Sequence, residues 1–220
     1  MVNKKIYKVK FYGGGIMGEL ARQVILNNPY TVIVDKNSDD FDILFSASYP
    51  TRISQEECKK AKLGAVNIHT SLLPEGRGSH PLNWALIWGK RHTGITIHKI
   101  VDTYDAGDIC LQRKVRVLNT DNIVDLRNRI NNIFPYVVKE FFLKPEKYIL
   151  CARQQNQAIV SYAQKRRQED SELNLNLAFS QVYNLWRACD PKEYPAFIRK
   201  NGEIIFIKTL KYLKKLHANR

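Results

Sequence analysis

Short apolar runs alternate with amphipathic segments along the first 150 residues of the chain. The runs have the length and the β-branched content of buried strands, and the segments between them repeat apolar residues every three or four positions, as helices do. The pattern predicts strands over 5–12, 31–34, 42–47, 65–69 and 93–100, and helices over 16–27, 54–62, 81–88 and 121–143. Strands that alternate with helices favour an α/β fold with a doubly wound, mostly parallel sheet.

The pattern changes after residue 150. The elements predicted there are a strand, a helix and a hairpin, over 157–163, 176–188 and 197–207. The hairpin prediction depends on Asn201-Gly202, because this pair readily takes the positive φ angles of a two-residue turn. We therefore divide the chain into a large α/β domain over 1–150 and a small α+β C-terminal subdomain over 151–220.

Two local signals refine the helices. Ser54 is followed three residues later by Glu57, which is the spacing of a capping box at a helix start. Pro135 lies inside the longest predicted helix and predicts a bend there, because proline removes a backbone donor.

Composition places the chain among globular proteins. Hydrophobic residues make up 44% and charged residues 25%, and the net charge is +14. The positive charge is spread along the sequence, so we favour a solvated basic surface over a nucleic-acid-binding one. No apolar run approaches the ~18–20 residues of a membrane span, and the first residues lead into a strand without a signal-peptide pattern, so we expect a cytoplasmic protein. The four cysteines form no closely spaced pair, and no metal site is expected.

A glycine pattern near the start offers a first functional interpretation. Gly13, Gly15 and Gly18 follow a predicted strand and open a helix, and Asp35 ends the next strand. This spacing is typical of a dinucleotide fingerprint, in which glycines approach a pyrophosphate and the acid holds a ribose. The structural alternative is that a tight strand-to-helix turn needs glycine for its own geometry.

A longer ordered motif begins at Asn67, at the end of a predicted strand. It reads Asn-Ile-His-Thr-Ser-Leu-Leu-Pro-Glu-Gly-Arg-Gly-Ser-His-Pro over 67–81, continues as Thr-Gly-Ile-Thr over 93–96, and ends as Asp-Ala-Gly over 105–107. This order strongly resembles the folate-dependent formyltransferases, over about residues 65–112. The resemblance implies a Rossmann-like fold and transfer of a formyl group from N10-formyltetrahydrofolate to a primary amine. A long ordered match outweighs the glycine pattern, so we favour a formyltransferase over an NAD-dependent oxidoreductase.

Three residues of this motif carry the expected chemistry. Asn67 and His69 are two positions apart on a strand, so both point to one face. An amide N–H of Asn67 can stabilise the oxyanion of a tetrahedral intermediate. His69 can accept the proton of the attacking amine or, if protonated, hold the oxyanion, and the sequence leaves both roles open. A carboxylate from Asp105 near the imidazole would orient it. The resemblance assigns the catalytic roles to the same three residues.

The resemblance also implies binding residues, with less support from the pattern. We assign folate contacts to Ser71, Leu72, Arg77 and Asp102, and acceptor contacts to Tyr49 and Arg77. For Arg77, support of its loop is an equal alternative. The other histidines have no comparable partner in the motif and are interpreted as structural or surface groups: His80, His92, His98 and His217.

The segment after residue 150 bears on which amine is formylated. It is similar to the segment that methionyl-tRNA and sugar formyltransferases share, whereas glycinamide ribonucleotide formyltransferases usually end earlier. A methionyl-tRNA enzyme would be expected to continue into a further barrel domain. We therefore favour a nucleotide-linked amino sugar as acceptor, with dTDP-4-amino-4,6-dideoxyglucose as the specific expectation, in the synthesis of O-antigen, lipopolysaccharide or other surface polysaccharide.

Two features leave alternatives open. Asn67 lies much earlier in the sequence than the matching asparagine of the family usually does, so a βα unit is missing before residue 42. The usual edge of the sheet, and any contacts to a sugar nucleotide at that edge, would be affected. The apolar strand at 204–207 would cover an edge or pair with another subunit, and we expect a homodimer, as in many sugar formyltransferases. The remaining alternatives are another amine acceptor, an NAD-dependent oxidoreductase and a non-catalytic module that binds polyanions.

Overall fold

A computed structural model describes residues 5–218. Its strands are β1 (Tyr7–Gly13), β2 (Thr31–Ile33), β3 (Ile43–Ala47), β4 (Gly64–His69), β5 (Arg77–Gly78), β6 (His92–Lys99), β7 (Ile109–Arg116), β8 (Tyr162–Ala163), β9 (Phe197–Lys200) and β10 (Glu203–Phe206). Its α-helices are α1 (Gly15–Leu26), α2 (Gln55–Lys59), α3 (Pro81–Ile87), α4 (Ile123–Leu143), α5 (Pro145–Leu150), α6 (Phe179–Ala188) and α7 (Leu210–Ala218).

Six strands form the central sheet, in the order β2-β1-β3-β4-β6-β7. The first four pair in parallel, and β6 pairs antiparallel with both β4 and β7. Only β6 therefore runs against the others in this sheet, which confirms the predicted mostly parallel α/β architecture. Because β1, β3 and β4 are parallel, the residues that follow their carboxyl ends meet at one edge of the sheet.

The main core lies between the sheet and the long helix α4. Asn122 caps this helix, since its side-chain oxygen accepts the N–H groups of Val124 and Asp125. The helix then turns an apolar face toward the sheet, where Phe141 packs 5.8 Å, centroid to centroid, from the ring of Phe45 on β3. Burial of these aromatic rings stabilises the packing of the helix against the sheet.

The capping box predicted at α2 forms only in part. The Ser54 hydroxyl accepts the Glu57 N–H at 3.1 Å, as predicted. The Glu57 carboxylate instead pairs with the ammonium group of Lys10 on β1, whose side chain is fully buried. An unpaired buried ammonium costs far more free energy than the loss of a second cap on a short helix. The Glu57 carboxylate therefore pairs with Lys10 and does not cap α2.

The C-terminal segment has a small core of its own. The hairpin of β9 and β10 is confirmed, and Asn201 and Gly202 have φ angles of 53° and 83°, as its two-residue turn requires. Apolar residues of α6, the hairpin and α7 pack together, including Val182, Ile198 and Leu213.

The predicted strand over 157–163 is wrong for most of its length. A 3-10 turn occupies Gln157–Ile159, and only Tyr162–Ala163 pairs as a strand, next to β5. The apolar residues before Tyr162 belong to a connection beside the Arg77 loop. Their composition resembles that of a strand, although they pair with no strand among the described residues. The sequence analysis also missed β7, whose alternating burial is obscured because four of its last five residues are polar or charged.

Close packing of backbone explains most of the glycine pattern before α1. A Cβ atom on Gly18 would lie 2.8 Å from the carbonyl carbon of Gly13 and 3.3 Å from the carbonyl oxygen of Ala47. The Gly14 N–H donates to that same carbonyl at 3.0 Å. Asp35 is used locally, since its carboxylate accepts the Asn37 N–H. These contacts favour the structural interpretation of the motif over the dinucleotide one.

The described residues include no helix that is both long and apolar enough to cross a membrane. They also include no group of three or more His, Cys, Asp or Glu side chains that could hold a metal ion.

Gly18→Ala tests this packing. The added methyl group would meet the Gly13 backbone, so we expect a loss of about 1–3 kcal/mol in the free energy of unfolding, measured by urea denaturation. Ile16→Ala is the matched control, because Ile16 lies in the same helix but is mostly exposed. An unchanged midpoint for Gly18→Ala would contradict the packing account.

Candidate active site

The site is built around the end of β4. Asn67 and His69 lie on this strand, and β6 pairs beside it so that Asn67 is opposite His98 and His69 is opposite Thr96. The side chain of His69 is buried and that of Asn67 is half-buried. The structure therefore brings the two residues together on one face, as their spacing predicts.

Asp105 reaches the same point from the loop between β6 and β7. It has a φ angle of 53°, in the left-handed region that suits a tight turn. Its Oδ2 accepts the Gly78 N–H at 2.8 Å and lies 3.6 Å from Nδ1 of His69. Gly107 is required two residues later, because a Cβ atom there would lie 2.0 Å from the carbonyl oxygen of Lys99. The Asp-Ala-Gly turn thus folds back onto β6 and delivers the carboxylate to the histidine.

The hydrogen bonds of His69 decide which ring nitrogen can act. Its Nε2 lies 2.8 Å from the carbonyl oxygen of Gly76, which can only accept, so Nε2 carries a hydrogen. In the neutral ring, Nδ1 is therefore the nitrogen with a free lone pair, and it is the one that faces Asp105. A proton taken up at Nδ1 would be stabilised at once by the neighbouring carboxylate.

The protonation states agree with such a role. Burial lowers the pKa of His69 below its ordinary value of 6.5, although the charge of Asp105 acts in the opposite direction. Burial alone would raise the pKa of Asp105, but the electrostatic attraction of His69 and His98 and a hydrogen bond from the Gly78 backbone bring it well below its ordinary value. At neutral pH the site therefore holds an ionised carboxylate beside a neutral imidazole.

His98 also belongs to the cluster, although the sequence analysis identified no partner for it. Its Nδ1 lies 2.9 Å from the carbonyl oxygen of Lys99 and so carries a hydrogen. Its Nε2 lies 3.2 Å from Nδ2 of Asn67 and 3.3 Å from Oδ1 of Asp105. In the neutral ring this nitrogen accepts an Asn67 N–H and fixes the amide. The signal available in the sequence was its place in a strand that could pair with β4, but pairing partners are not visible in a single sequence.

Arg77 supports the site from within the protein. It is buried, and its guanidinium donates to Oε1 of Gln155 at 2.8 and 3.1 Å. The amide of Gln155 donates in turn to the carbonyl oxygens of Asp105 and Gly107, both at 2.7 Å. Of the two roles that the sequence left open for Arg77, these contacts favour support of the loop. Gln155 was not predicted, because nothing local to its sequence marks it.

The other predicted binding residues lie in three places. Asp102 is highly exposed on the loop before Asp105, near Arg52. Tyr49 follows β3 and packs edge-to-face on Tyr12, 5.1 Å between centroids. Ser71 and Leu72 follow β4 and line a cavity whose lining does not include Asn67, His69 or Asp105.

Comparison with known proteins identifies the domain. Residues 32–138 match the model of the formyl transferase family. The chain contains a formyl transferase domain. Asn67, His69 and Asp105 all lie within the matched part, so the cluster built above belongs to this domain.

Individual relatives agree with the fold. The methionyl-tRNA formyltransferase of Fusobacterium nucleatum is 28% identical over 189 residues, which cover 86% of this chain and 61% of that protein. The chain thus spans about three fifths of the length of this curated relative. A 4-N formyltransferase from Francisella tularensis superposes with a TM-score of 0.74 at 17% identity, covering 92% of this chain and 97% of that one.

A further solved structure was determined with ligands. The N-formyltransferase from Helicobacter canadensis, in complex with folinic acid and dTDP-3-aminofucose, superposes with a TM-score of 0.70 at 19% identity. The match covers 91% of this chain and 86% of that one. At these identities the two superpositions establish a shared fold.

Asp105→Asn tests the electrostatics of the formyl transferase domain. Removing the negative charge takes away the main influence that raises the pKa of His69, so this pKa should fall further below 6.5. Titration of the histidine ring by NMR measures it directly. Asp102→Asn, a highly exposed neighbour on the same loop, should leave the His69 pKa unchanged. A rise in the His69 pKa in Asp105→Asn would contradict this arrangement.

Proposed function

We propose that the protein is an N-formyltransferase that uses N10-formyltetrahydrofolate to formylate the amino group of a nucleotide-linked amino sugar. The observation that carries the proposal is the convergence of an amide, a neutral imidazole and an ionised carboxylate within the formyl transferase domain. These are the groups that acyl transfer to an amine requires: an oxyanion donor, a base and a group that stabilises the protonated base.

Each residue has one task in this reaction. The folate supplies the formyl group. Asn67 gives one amide N–H to His98 and keeps the other for the formyl oxygen, where negative charge develops. His69 accepts the proton of the attacking amine at Nδ1, because Nε2 is held by the Gly76 carbonyl. Asp105 stabilises the resulting imidazolium at 3.6 Å. The imidazolium then returns the proton to N10 of the folate as the bond between the formyl carbon and N10 breaks, so tetrahydrofolate leaves and the formylated amine remains.

For the substrates, we propose contacts on both sides of this centre. Asp102, exposed beside Arg52, is the proposed folate contact. Tyr49 is the proposed acceptor contact, and the ring pair that it forms with Tyr12 lies within 6 Å of the Lys36 ammonium. Planar rings beside a cation suit the base and phosphates of a nucleotide. Such an acceptor, with dTDP-4-amino-4,6-dideoxyglucose as first choice, would make this a cytoplasmic enzyme of surface-polysaccharide synthesis.

Methionyl-tRNA is the second candidate acceptor. It is favoured by the relative from Fusobacterium nucleatum and by the net charge of +14, since basic proteins attract polyanions. The sugar acceptor is favoured by the solved neighbour from Helicobacter canadensis, which is in complex with dTDP-3-aminofucose. Both candidates use the same catalytic residues, so only a direct acceptor comparison separates them.

A formyl-transfer assay tests the reaction and the acceptor together. The purified protein is supplied with N10-formyltetrahydrofolate and with dTDP-, UDP- and GDP-linked amino sugars or methionyl-tRNA, and formylated product is measured by mass spectrometry. We expect turnover on a dTDP-amino sugar. His69→Ala should lower kcat by about 10²–10⁴ and Asn67→Ala by about 10²–10³.

His217→Ala on α7 is the matched control, which should retain wild-type turnover because α7 contributes no residue to the catalytic cluster. Turnover on methionyl-tRNA alone would replace the sugar by the second candidate. Equal turnover by His69→Ala and the wild type would contradict the assigned chemistry.

We also propose that the C-terminal hairpin forms a homodimer. Among the described residues β10 pairs only with β9, and its Ile204 and Phe206 are each about half exposed. An unpaired apolar strand edge is a ready site for pairing with a second chain.

Light scattering at micromolar concentration should give the mass of a dimer. The Ile204→Asp/Phe206→Asp variant should give that of a monomer, because the charges oppose burial of the strand. Lys208→Asp, just beyond the strand, controls for a general effect of added negative charge. A monomeric wild type would contradict the dimer.

A further inference from the structure

A cavity of about 270 Å³ lies beside the loop that follows β4. It is enclosed by that loop, by α3 and by the start of β6, and its lining includes Ser71, Leu72, Trp88, Arg91, Thr93 and Lys114. The catalytic amide, imidazole and carboxylate are not among its lining groups. The cavity therefore adjoins the candidate active site without including its catalytic side chains, and of its lining only Ser71 and Leu72 are expected from the sequence to contact a ligand.

The polar lining of the cavity is positively charged. Arg91 and Lys114 are exposed, and neither forms an ion pair with another residue in the described part of the chain. The third cation, Lys90, is neutralised by Glu75. The pKa of His92 is lowered, by burial first and then by Lys114 and the neighbouring arginines, which is consistent with a concentration of positive charge here. Unpaired cations that converge on a concave surface attract anions.

A buried hydroxyl in the lining also lacks a partner. Ser71 is 4% exposed, and its Oγ makes no hydrogen bond to any residue between 5 and 218. Buried polar atoms are nearly always hydrogen-bonded, so an unpartnered one in a cavity wall indicates a place for a ligand's polar atom. The Thr93 side chain, also buried, lines the same cavity.

The remaining wall is apolar and partly aromatic. Leu72, Pro81, Ala85 and the ring of Trp88 form it. The Trp88 ring is about one third exposed and lies 5.6 Å, centroid to centroid, from Trp84. An exposed indole at a cavity wall offers a planar surface on which a ligand ring can stack.

We propose that this cavity binds a small ligand in which a phosphate group is joined to a planar ring, of the size of a nucleoside monophosphate. The ring would stack on Trp88, and the phosphate would lie between Arg91 and Lys114. Ligand pockets usually have volumes of about 300–1,000 Å³. The volume of about 270 Å³ lies just below that range, so the cavity is too small for a whole folate and suits a ligand no larger than a mononucleotide.

A ligand in the cavity can act on the catalytic histidine indirectly, through Gly76. Gly76 lines the cavity, and its carbonyl oxygen is the group that fixes Nε2 of His69 at 2.8 Å. A ligand that packs against this loop therefore stabilises the carbonyl position on which the His69 tautomer depends. This inference goes beyond the proposed function and does not require it.

Binding of dTMP, followed by tryptophan fluorescence, tests the proposal without any turnover. We expect saturable binding with a Kd below about 1 mM, and binding of inorganic phosphate at least about tenfold weaker, because phosphate alone cannot stack on Trp88. The Arg91→Ala/Lys114→Ala variant should raise the Kd for dTMP by about tenfold or more.

Two controls locate the site. Arg22→Ala/Lys139→Ala also removes one arginine and one lysine, but from exposed positions on α1 and α4. This variant should leave the Kd for dTMP unchanged. Asn67→Ala should also bind dTMP normally, because its side chain belongs to the active site. Absence of saturable binding, binding that Asn67→Ala abolishes, an unchanged Kd in Arg91→Ala/Lys114→Ala, or phosphate binding as tight as that of dTMP would each overturn the proposal.

Discussion

The candidate site depends on one buried carboxylate, that of Asp105. It accepts a hydrogen bond from the Gly78 backbone and faces both His69 and His98, which come from two neighbouring strands. A buried charge is stable only when several partners compensate for its lost hydration. The loop before β7, the turn at β5 and the antiparallel strand β6 must therefore all be in place together, and removal of any one would leave the carboxylate with fewer of the partners that compensate its charge.

A layer of polar contacts holds that carboxylate in position. The buried guanidinium of Arg77 binds Gln155, and Gln155 binds the backbone on both sides of the Asp-Ala-Gly turn. This chain of contacts explains why a charged side chain next to the catalytic residues is turned inward. It also links residues that are 78 positions apart in the sequence, so the segment after residue 150 completes the site of the formyl transferase domain.

The Gly76 carbonyl connects the chemistry to its surroundings. By accepting from Nε2 of His69, it leaves Nδ1 as the only basic nitrogen of the neutral ring and directs it toward Asp105. The same glycine has a φ angle of 73° and lines the basic cavity. One backbone group thus lies between the proton transfer that we propose and the second ligand site that we infer.

The sequence by itself determined the α/β architecture, the hairpin at Asn201-Gly202 and the placement of Asn67 and His69 on the same face of a strand. Each of these follows from local rules: hydrophobic periodicity, turn geometry and the two-residue repeat of a strand. The tertiary structure alone decided the contacts of His98, the inward orientation of Arg77 through Gln155 and the cavity that Ser71 and Leu72 line beside Gly76. These depend on strand order and loop packing between distant segments, which leave no periodic signal in a single sequence.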